Sequence, residues 1–161
     1  MSVTTADAVA TLIATRIAAI VPAIDSNDRF EEITYEQAIG AFALANPAGC
    51  RRRFSVLPEA DVLPPDVTDG LVEAVFQEFT VEVAYPTDWR YGNRGIRSLL
   101  HAIQSDREQI AKTVGTNGFA SYSGDPGSPT VMTVFESRVD LGPVQLGVVR
   151  LRARYFRSAT P

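Results

Sequence analysis

The segment Val75–Tyr85 limits the fold of this chain more than any other part of the sequence. Its apolar residues fall on one side and its polar residues on the other, namely Val75, Phe79, Val81, Val83 and Tyr85 against Glu78, Thr80 and Glu82. Because successive side chains of a strand point to opposite faces of a sheet, this alternation predicts a strand with one buried and one polar face. Other elements of the chain then have to cover the apolar face.

A second alternation lies near the end of the sequence. Thr130–Asp140 and Val144–Phe156 are two strand-like runs joined by Leu141-Gly142-Pro143, a spacing that predicts an antiparallel hairpin. In the second run, apolar residues alternate with arginines: Val149, Leu151, Ala153 and Tyr155 with Arg150, Arg152 and Arg154. We therefore expect this strand to have one apolar and one strongly cationic face.

Three segments carry apolar residues at helical spacing. A capping box at Thr4–Asp7 predicts a helix that ends near Pro22. A second capping box predicts a shorter helix over Thr34–Asn46. A third helix is predicted over Ile96–Val114, where Gly115 ends the apolar stripe.

The remaining segments complete the predicted architecture. Arg51–Leu57 predicts a short strand, in which the run Arg51–Arg53 is interpreted as solvated charge. Pro58–Gly70 and Gly115–Pro129 have no apolar period and are expected to be mobile loops. The order is then α-α-β-β-α-β-β. For 161 residues we expect one α+β domain over 1–161, an antiparallel β-sheet of about four strands covered by amphipathic α-helices.

Charge and cysteine content exclude several functions. With 19 acidic and 15 basic residues the formal net charge is -4, which disfavours tight, nonspecific binding to nucleic acid. Cys50 is the only cysteine, so neither an intrachain disulfide nor a Cys-rich zinc site can form, and a reducing compartment fits. The sequence shows no signal-peptide pattern and no apolar run long enough for a bilayer, so we expect a protein made in the cytoplasm without a membrane partner.

No residue pattern predicts catalysis. His101 is the only histidine, and although Ser98 lies three residues before it, a nucleophile and a base also need an orienting group and an oxyanion hole. The segment Gly92–Gly95 lacks the lysine and hydroxyl of a P-loop. Scattered carboxylates give no metal-ligand spacing. We therefore expect no enzyme, no cofactor and no metal site.

The arginine stripe is the main candidate for a functional surface. Arg150, Arg152 and Arg154 repel each other on one sheet face unless acidic residues lie opposite, and Glu78 and Glu82 are suited to that role. The acidic and basic rows either neutralise each other within one chain or meet on neighbouring subunits. In the second case head-to-tail contacts close into a ring when the rotation between subunits allows it.

The segment before the third helix is another candidate interface. Trp89, Tyr91 and Arg94 are of residue types enriched at protein–protein hot spots. Burial against the helix end is the alternative interpretation. A small α+β domain that binds or transforms an anionic ligand, held by Arg94, is the alternative from a different class of function.

The order of the predicted elements has a counterpart among known proteins. An amphipathic helix over Val9–Ile24 is followed by a short strand at Phe54–Val56, then by a long strand that closes in an aromatic residue and a proline, Phe79–Pro86. A single amphipathic helix comes next, and the chain ends in a strand of alternating aromatic and charged residues, Arg150–Phe156. This layout resembles the tail terminator proteins of long-tailed bacteriophages and related phage-like particles. The helix over Thr34–Asn46 and the long segment after it depart from that family's compact plan, and the resemblance assigns no residue roles.

The resemblance implies a structural virion protein. It implies a homohexameric ring that caps the head-proximal end of the tail tube, stops tube growth and docks to the head or neck. The implied partners are further copies of the chain, the tail tube protein and the head–tail connector, with DNA passing through the channel without tight binding. The implied location is the tail or neck of the virion, after assembly in the host cytoplasm. A different head–tail joining protein of the neck is the closely related alternative.

Overall fold

A six-stranded mixed sheet with two α-helices makes up the described part of the chain. The computed structural model describes residues 4–33, 52–62, 72–87, 96–114, 120–121, 130–142 and 144–158. In chain order the elements are α1 (Ala6–Ala18), β1 (Phe30–Glu32), β2 (Arg52–Val62), β3 (Val72–Pro86), α2 (Ile96–Val114), β4 (Ala120–Ser121), β5 (Thr130–Asp140) and β6 (Val144–Ser158).

Strands β3 and β6 form the centre of the sheet. The spatial order is β1-β2-β3-β6-β5-β4, with β1 parallel to β2 and every other neighbouring pair antiparallel. β3 and β6 pair along their whole length, from Val72 opposite Ser158 to Pro86 opposite Val144. Residues 75 to 85 of the sequence therefore lie on a central strand, and the predicted alternation there is confirmed.

Both helices pack on the same face of the sheet. One apolar cluster joins α1 and α2 to alternate residues of the two central strands, including Ile13 and Ile103 from the helices and Phe79 and Leu151 from the strands. Each such side chain contributes about 1.5–3 kcal/mol relative to an exposed one. Gly147 lies directly under this layer, since a Cβ there would meet Tyr85 at 3.2 Å and Ile103 at 3.3 Å. We call this face the helix face and the opposite one the arginine face, after Arg150, Arg152 and Arg154.

Each predicted helix within the described ranges is confirmed. α1 begins after Thr5, whose side chain accepts a hydrogen bond from the Ala8 amide at 3.2 Å. It ends at Ala18, before the predicted end near Pro22. The side chain of Gln109 on α2 then holds the following segment, accepting from the Ala23 amide and donating to the Val21 carbonyl.

The predicted antiparallel sheet of about four strands, in the order α-α-β-β-α-β-β, is wrong. The described chain has six strands in a mixed sheet, in the order α-β-β-β-α-β-β-β. β1 and β4 contain three and two residues, too few to show an alternation, and both form by pairing with a longer neighbour. The predicted helix over 34–46 lies outside the described residues.

The loop predicted over 58–70 is wrong at its start. β2 continues past Pro58 to Val62, with a register shift between Pro58 and Asp61 against β3. Such an irregularity tolerates a proline, which cannot donate to the ladder. Residues 63–70 lie outside the described part. Within the loop predicted over 115–129, only Ala120–Ser121 is described, and it is strand β4.

The predicted hairpin is confirmed. β5 and β6 pair from Thr130 opposite Arg154 to Asp140 opposite Gln145. At the turn, Gly142 has φ +84°, a conformation that favours glycine, and its amide donates to Asp140 Oδ1 at 2.9 Å.

Candidate interaction surface

The arginine face carries the acidic and basic rows that the sequence analysis singled out. Glu78 and Arg152 are direct register partners on β3 and β6, and Arg152 Nη2 donates to Glu78 Oε1 at 2.8 Å. Both side chains are partly exposed, so the pair contributes about 0–1 kcal/mol. The sequence left open whether the two rows pair within one chain or between subunits. The structure shows Arg152 paired within the chain.

The other two arginines of the stripe have different surroundings. Arg154 lies opposite Phe76 in register, and its guanidinium carbon is 4.9 Å from the ring centroid of Phe156. That distance is within the range of a cation–π contact. Arg150 is exposed and lies opposite Thr80. The three guanidinium groups of the stripe therefore differ in exposure and in the residues that lie opposite them.

Glu82 does not lie opposite an arginine. Its register partners are Val148 on β6 and Ser55 on β2. Burial raises the pKa of Glu82, and the negative charge of Glu59 raises it further. Of the predicted acidic row, Glu78 therefore lies directly opposite an arginine, and Glu82 lies on the same face opposite Val148.

The arginine face ends in an apolar cluster near the hairpin turn. Ala84 on β3 packs with Val144, Leu146 and Val148 on β6, and all four are buried. The alternation of β6 therefore changes character along the strand, because the positions that carry arginine from residue 150 onward carry valine or leucine before it. One face of one strand therefore has a buried apolar part and a cationic part that is at least partly exposed.

The outer edge of β5 is a further exposed feature. β4 pairs only with Thr130 and Val131 at the start of β5. Beyond them, Val134, Val139 and Leu141 are among the large apolar residues that remain exposed. Glu136 and Arg138 are exposed as well. Within the described ranges, no strand adjoins this edge beyond β4.

A buried ion cluster connects α2 to the helix face of the sheet. Arg52 is fully buried, where its Nε donates to Asp106 Oδ2 at 2.5 Å and its Nη1 to Asp28 Oδ2 at 2.9 Å. Its Nη2 donates to the Ile24 carbonyl, and the Tyr85 hydroxyl donates to the same Asp106 oxygen at 2.8 Å. The interpretation of Arg51–Arg53 as solvated charge is therefore wrong for Arg52. One guanidinium joins α2, β2 and the segment that follows α1.

The electrostatics of this cluster follow from one cation shared by two carboxylates. Burial raises the pKa of Asp106, while Arg52 and the hydrogen bonds from Arg52 and Tyr85 offset part of that effect. Burial alone would lower the pKa of Arg52, but the carboxylates raise it above its ordinary value. Asp106 Oδ1 has no hydrogen-bond partner among the described residues.

The sequence contained one signal for this cluster. Leu99, Ile103, Ile110 and Val114 of α2 are buried at helical spacing, and Asp106 occupies the same stripe. A charged residue on the apolar stripe of a helix requires a buried partner. The identity of that partner, 54 positions away in the sequence, is visible only in the structure.

A shallow groove lies at the beginning of α1. Its volume is about 440 Å³, and its lining includes Thr5, Gln77, Tyr155 and Arg157. The polar groups at its base already bond each other, since Tyr155 donates to Gln77 Oε1 at 2.5 Å and Arg157 Nε donates to Glu73 Oε2 at 3.0 Å. The groove is therefore lined by satisfied polar groups.

The remaining candidates of the sequence analysis are not brought together. Ser98 is buried and His101 is exposed on α2, so the imidazole does not share the environment of the hydroxyl. Trp89, Tyr91 and Arg94 lie outside the described residues. Among those that are described, no three His, Cys, Asp or Glu side chains converge as metal ligands. None of the described helices has the length and apolar character to cross a membrane.

Comparisons with known proteins do not extend these observations. A scan against models of protein families and a search of curated proteins both find no match to this chain. The residues and their arrangement are therefore the basis for any function assigned to the chain.

Proposed function

We propose that this chain is a structural subunit of a phage tail terminator, a ring that caps the head-proximal end of a tail tube. The supporting observation is the order of elements along the chain. Helix α1, strand β2, the long strand β3 ending in Tyr85–Pro86, helix α2 and the final strand β6 follow one another as in the layout on which the resemblance rests. The proposal makes the chain an assembly protein without catalytic activity.

The one-sided packing of the sheet supports a role in assembly. Both described helices lie on the helix face, and the arginine face carries a row of guanidinium groups, of which Arg150 is exposed and Arg152 and Arg154 are partly exposed. Arginine is among the residue types enriched at protein–protein interfaces. The net charge of -4 is compatible with a channel through which DNA passes, because an acidic protein does not gain from releasing counterions of the phosphates.

The pairing of Arg152 with Glu78 changes which residues the ring contact needs. Since this pair is already formed within the chain, the proposal does not require Arg152 to reach a neighbouring subunit. Arg150 and Arg154, on the same face, are candidates for that contact because their side chains are exposed or partly exposed, together with Trp89, Tyr91 and Arg94 from outside the described ranges.

Growth of tail tubes in the presence of the chain tests this proposal. The chain is labelled and mixed with a tail tube protein from the same source, and tubes are imaged by electron microscopy. We expect label at one end of each tube, a ring in end views and no further growth from that end. Unlabelled tubes that keep growing would overturn the proposal. Label on the connector, with no label on tubes, would instead favour the alternative role in the neck.

A further inference from the structure

We propose that the outer edge of β5 is a docking site for a second copy of the same chain. The two β5 strands pair antiparallel about a two-fold axis at Ser137, so that one sheet continues into the other. This contact goes beyond the proposed ring and does not depend on it. The proposal rests on the exposed edge of β5, where Glu136 and Arg138 lie on either side of the midpoint.

The edge offers backbone groups for pairing. β4 pairs with Thr130 and Val131 only. Among the described strands, none therefore lies beside residues 132–140 on the outer side of β5. The register shift between Thr133 and Phe135 interrupts the first part of this edge. The regular part is therefore 135–140, between the irregularity and the turn, and Ser137 lies near its middle. Edge strands of this kind are templates for another strand.

The charges on the edge are complementary to themselves. In antiparallel pairing about Ser137, Glu136 of one copy lies opposite Arg138 of the other, and the same contact occurs twice. Directly opposed residues of antiparallel strands interact, and opposite charges there are favourable. Both side chains are exposed in the single chain. Arg138 donates through Nη1 to Gln145 Oε1 on the inner neighbour β6, a bond that engages one of the five donors of its guanidinium group.

Apolar exposure on the same hairpin favours a protein partner over solvent. In the same pairing Val139, which is exposed in the single chain, lies opposite position 135 within the regular part of the edge. Charged residues on an edge usually prevent association with other strands. Here their alternating sign favours this register over those shifted by two residues, because either shift would bring like charges together.

The symmetry of the contact limits the assembly to two chains. An isologous contact uses the same surface on both copies, so it closes at two chains and cannot propagate. A dimer formed in this way has twice the mass of 17.5 kDa. It cannot by itself build a ring with two different faces, so ring contacts and edge contacts are separate and can be tested separately.

Sedimentation equilibrium of the full chain and three variants tests the edge contact. Glu136→Arg places a second guanidinium opposite Arg138, and we expect the dimer dissociation constant to rise on the order of tenfold or more. The double variant Glu136→Arg/Arg138→Glu exchanges the two charges and should restore wild-type affinity. Glu108→Arg, on the exposed side of α2, makes the same charge change elsewhere and should leave the constant unchanged. Circular dichroism melting of each variant checks that it folds.

A mixing experiment tests the register of the proposed contact between the two β5 strands. The Glu136→Arg variant carries two arginines on its edge, and the Arg138→Glu variant carries two glutamates. We expect each variant alone to be mostly monomeric. We expect their mixture to form heterodimers, which native mass spectrometry detects. A monomeric wild-type chain would overturn the proposal, as would a dimer that Glu136→Arg leaves intact. A six-copy ring unaffected by Glu136→Arg would overturn the edge contact while supporting the proposed function. Loss of dimer that the exchanged variant does not restore would also overturn it.

Discussion

Arg52 donates through Nε to the carboxylate of Asp106 at 2.5 Å, and both side chains are fully buried. The two residues connect the start of β2 to the middle of α2, and Asp28 on the segment after α1 binds the same guanidinium. Three parts of the chain that are distant in sequence therefore depend on one cation. Phe30 adds a contact, with the guanidinium carbon 5.9 Å from its ring centroid. This cluster fixes how the helix layer sits on the sheet.

Replacing Arg52 with methionine should destabilise the fold strongly. Methionine fills much of the same volume but leaves two carboxylates buried without their cation, a change that costs about 3–5 kcal/mol. Urea unfolding followed by circular dichroism measures the free energy. Arg152→Met is the matched control, because the partly exposed pair with Glu78 contributes at most about 1 kcal/mol. Equal losses for the two variants would contradict a special role for the buried cluster.

The pH dependence of stability should report on Asp106. Burial raises its pKa in the folded protein, so the folded state binds its proton more tightly than the unfolded state does. The stability that this proton contributes is complete below the ordinary pKa of 3.8 and is lost as pH rises through the raised pKa. The free energy of unfolding of the wild type, minus that of Asp106→Asn, should therefore fall with rising pH across this window.

Urea unfolding at a series of pH values measures that difference. Asparagine keeps an oxygen for the Arg52 and Tyr85 hydrogen bonds but carries no titrating proton, so it isolates the ionisation of Asp106. Asp28 and Tyr85 belong to the same cluster and are unchanged in both proteins. A difference that rises with pH would mean that Arg52 outweighs burial and holds the pKa of Asp106 below its usual value.

Two buried tyrosines allow hydrogen bonds to a charged and to a neutral acceptor to be compared. Tyr85 donates to Asp106 Oδ2 at 2.8 Å, and Tyr155 donates to Gln77 Oε1. Hydrogen bonds to charged groups contribute about 1.5–3 kcal/mol and those to neutral groups about 0.5–1.5 kcal/mol. Tyr85→Phe should therefore lower the free energy of unfolding more than Tyr155→Phe does. Thermal and urea unfolding of the two variants would refute this ordering if Tyr155→Phe proved the more damaging.

The sequence predicted those elements that are long enough to show a period. β3 and β6 show clear alternation and α2 shows clear helical spacing, and all three are present. β1 and β4 are too short to show any pattern, and they form because a longer strand offers them backbone partners. Their omission is why the predicted sheet was too small and purely antiparallel.

The functional surface was predictable only in part. The alternation placed Glu78 and Arg152 each on the polar face of its strand, because residues of one face recur at every second position. Glu82 could not be assigned to Val148, since the register of β3 against β6 is fixed by packing along the whole strand pair. Arg52 was misinterpreted because a run of arginines has the same local composition on the surface and in the core. Its burial depends on Asp28 and Asp106, which only the fold brings to it.

The pair Glu78–Arg152 should contribute to folding through the register of β3 and β6. Arg152→Glu places two carboxylates directly opposite each other, which should lower the free energy of unfolding by about 1 kcal/mol. The exchanged variant Glu78→Arg/Arg152→Glu should recover most of that loss, and the interaction energy of the double-mutant cycle should be measurable by urea unfolding at low salt. Added salt should reduce the loss, because both side chains are partly exposed. Additive effects of the two single reversals would show instead that the contact carries no energy, which would leave both side chains available to a neighbouring subunit.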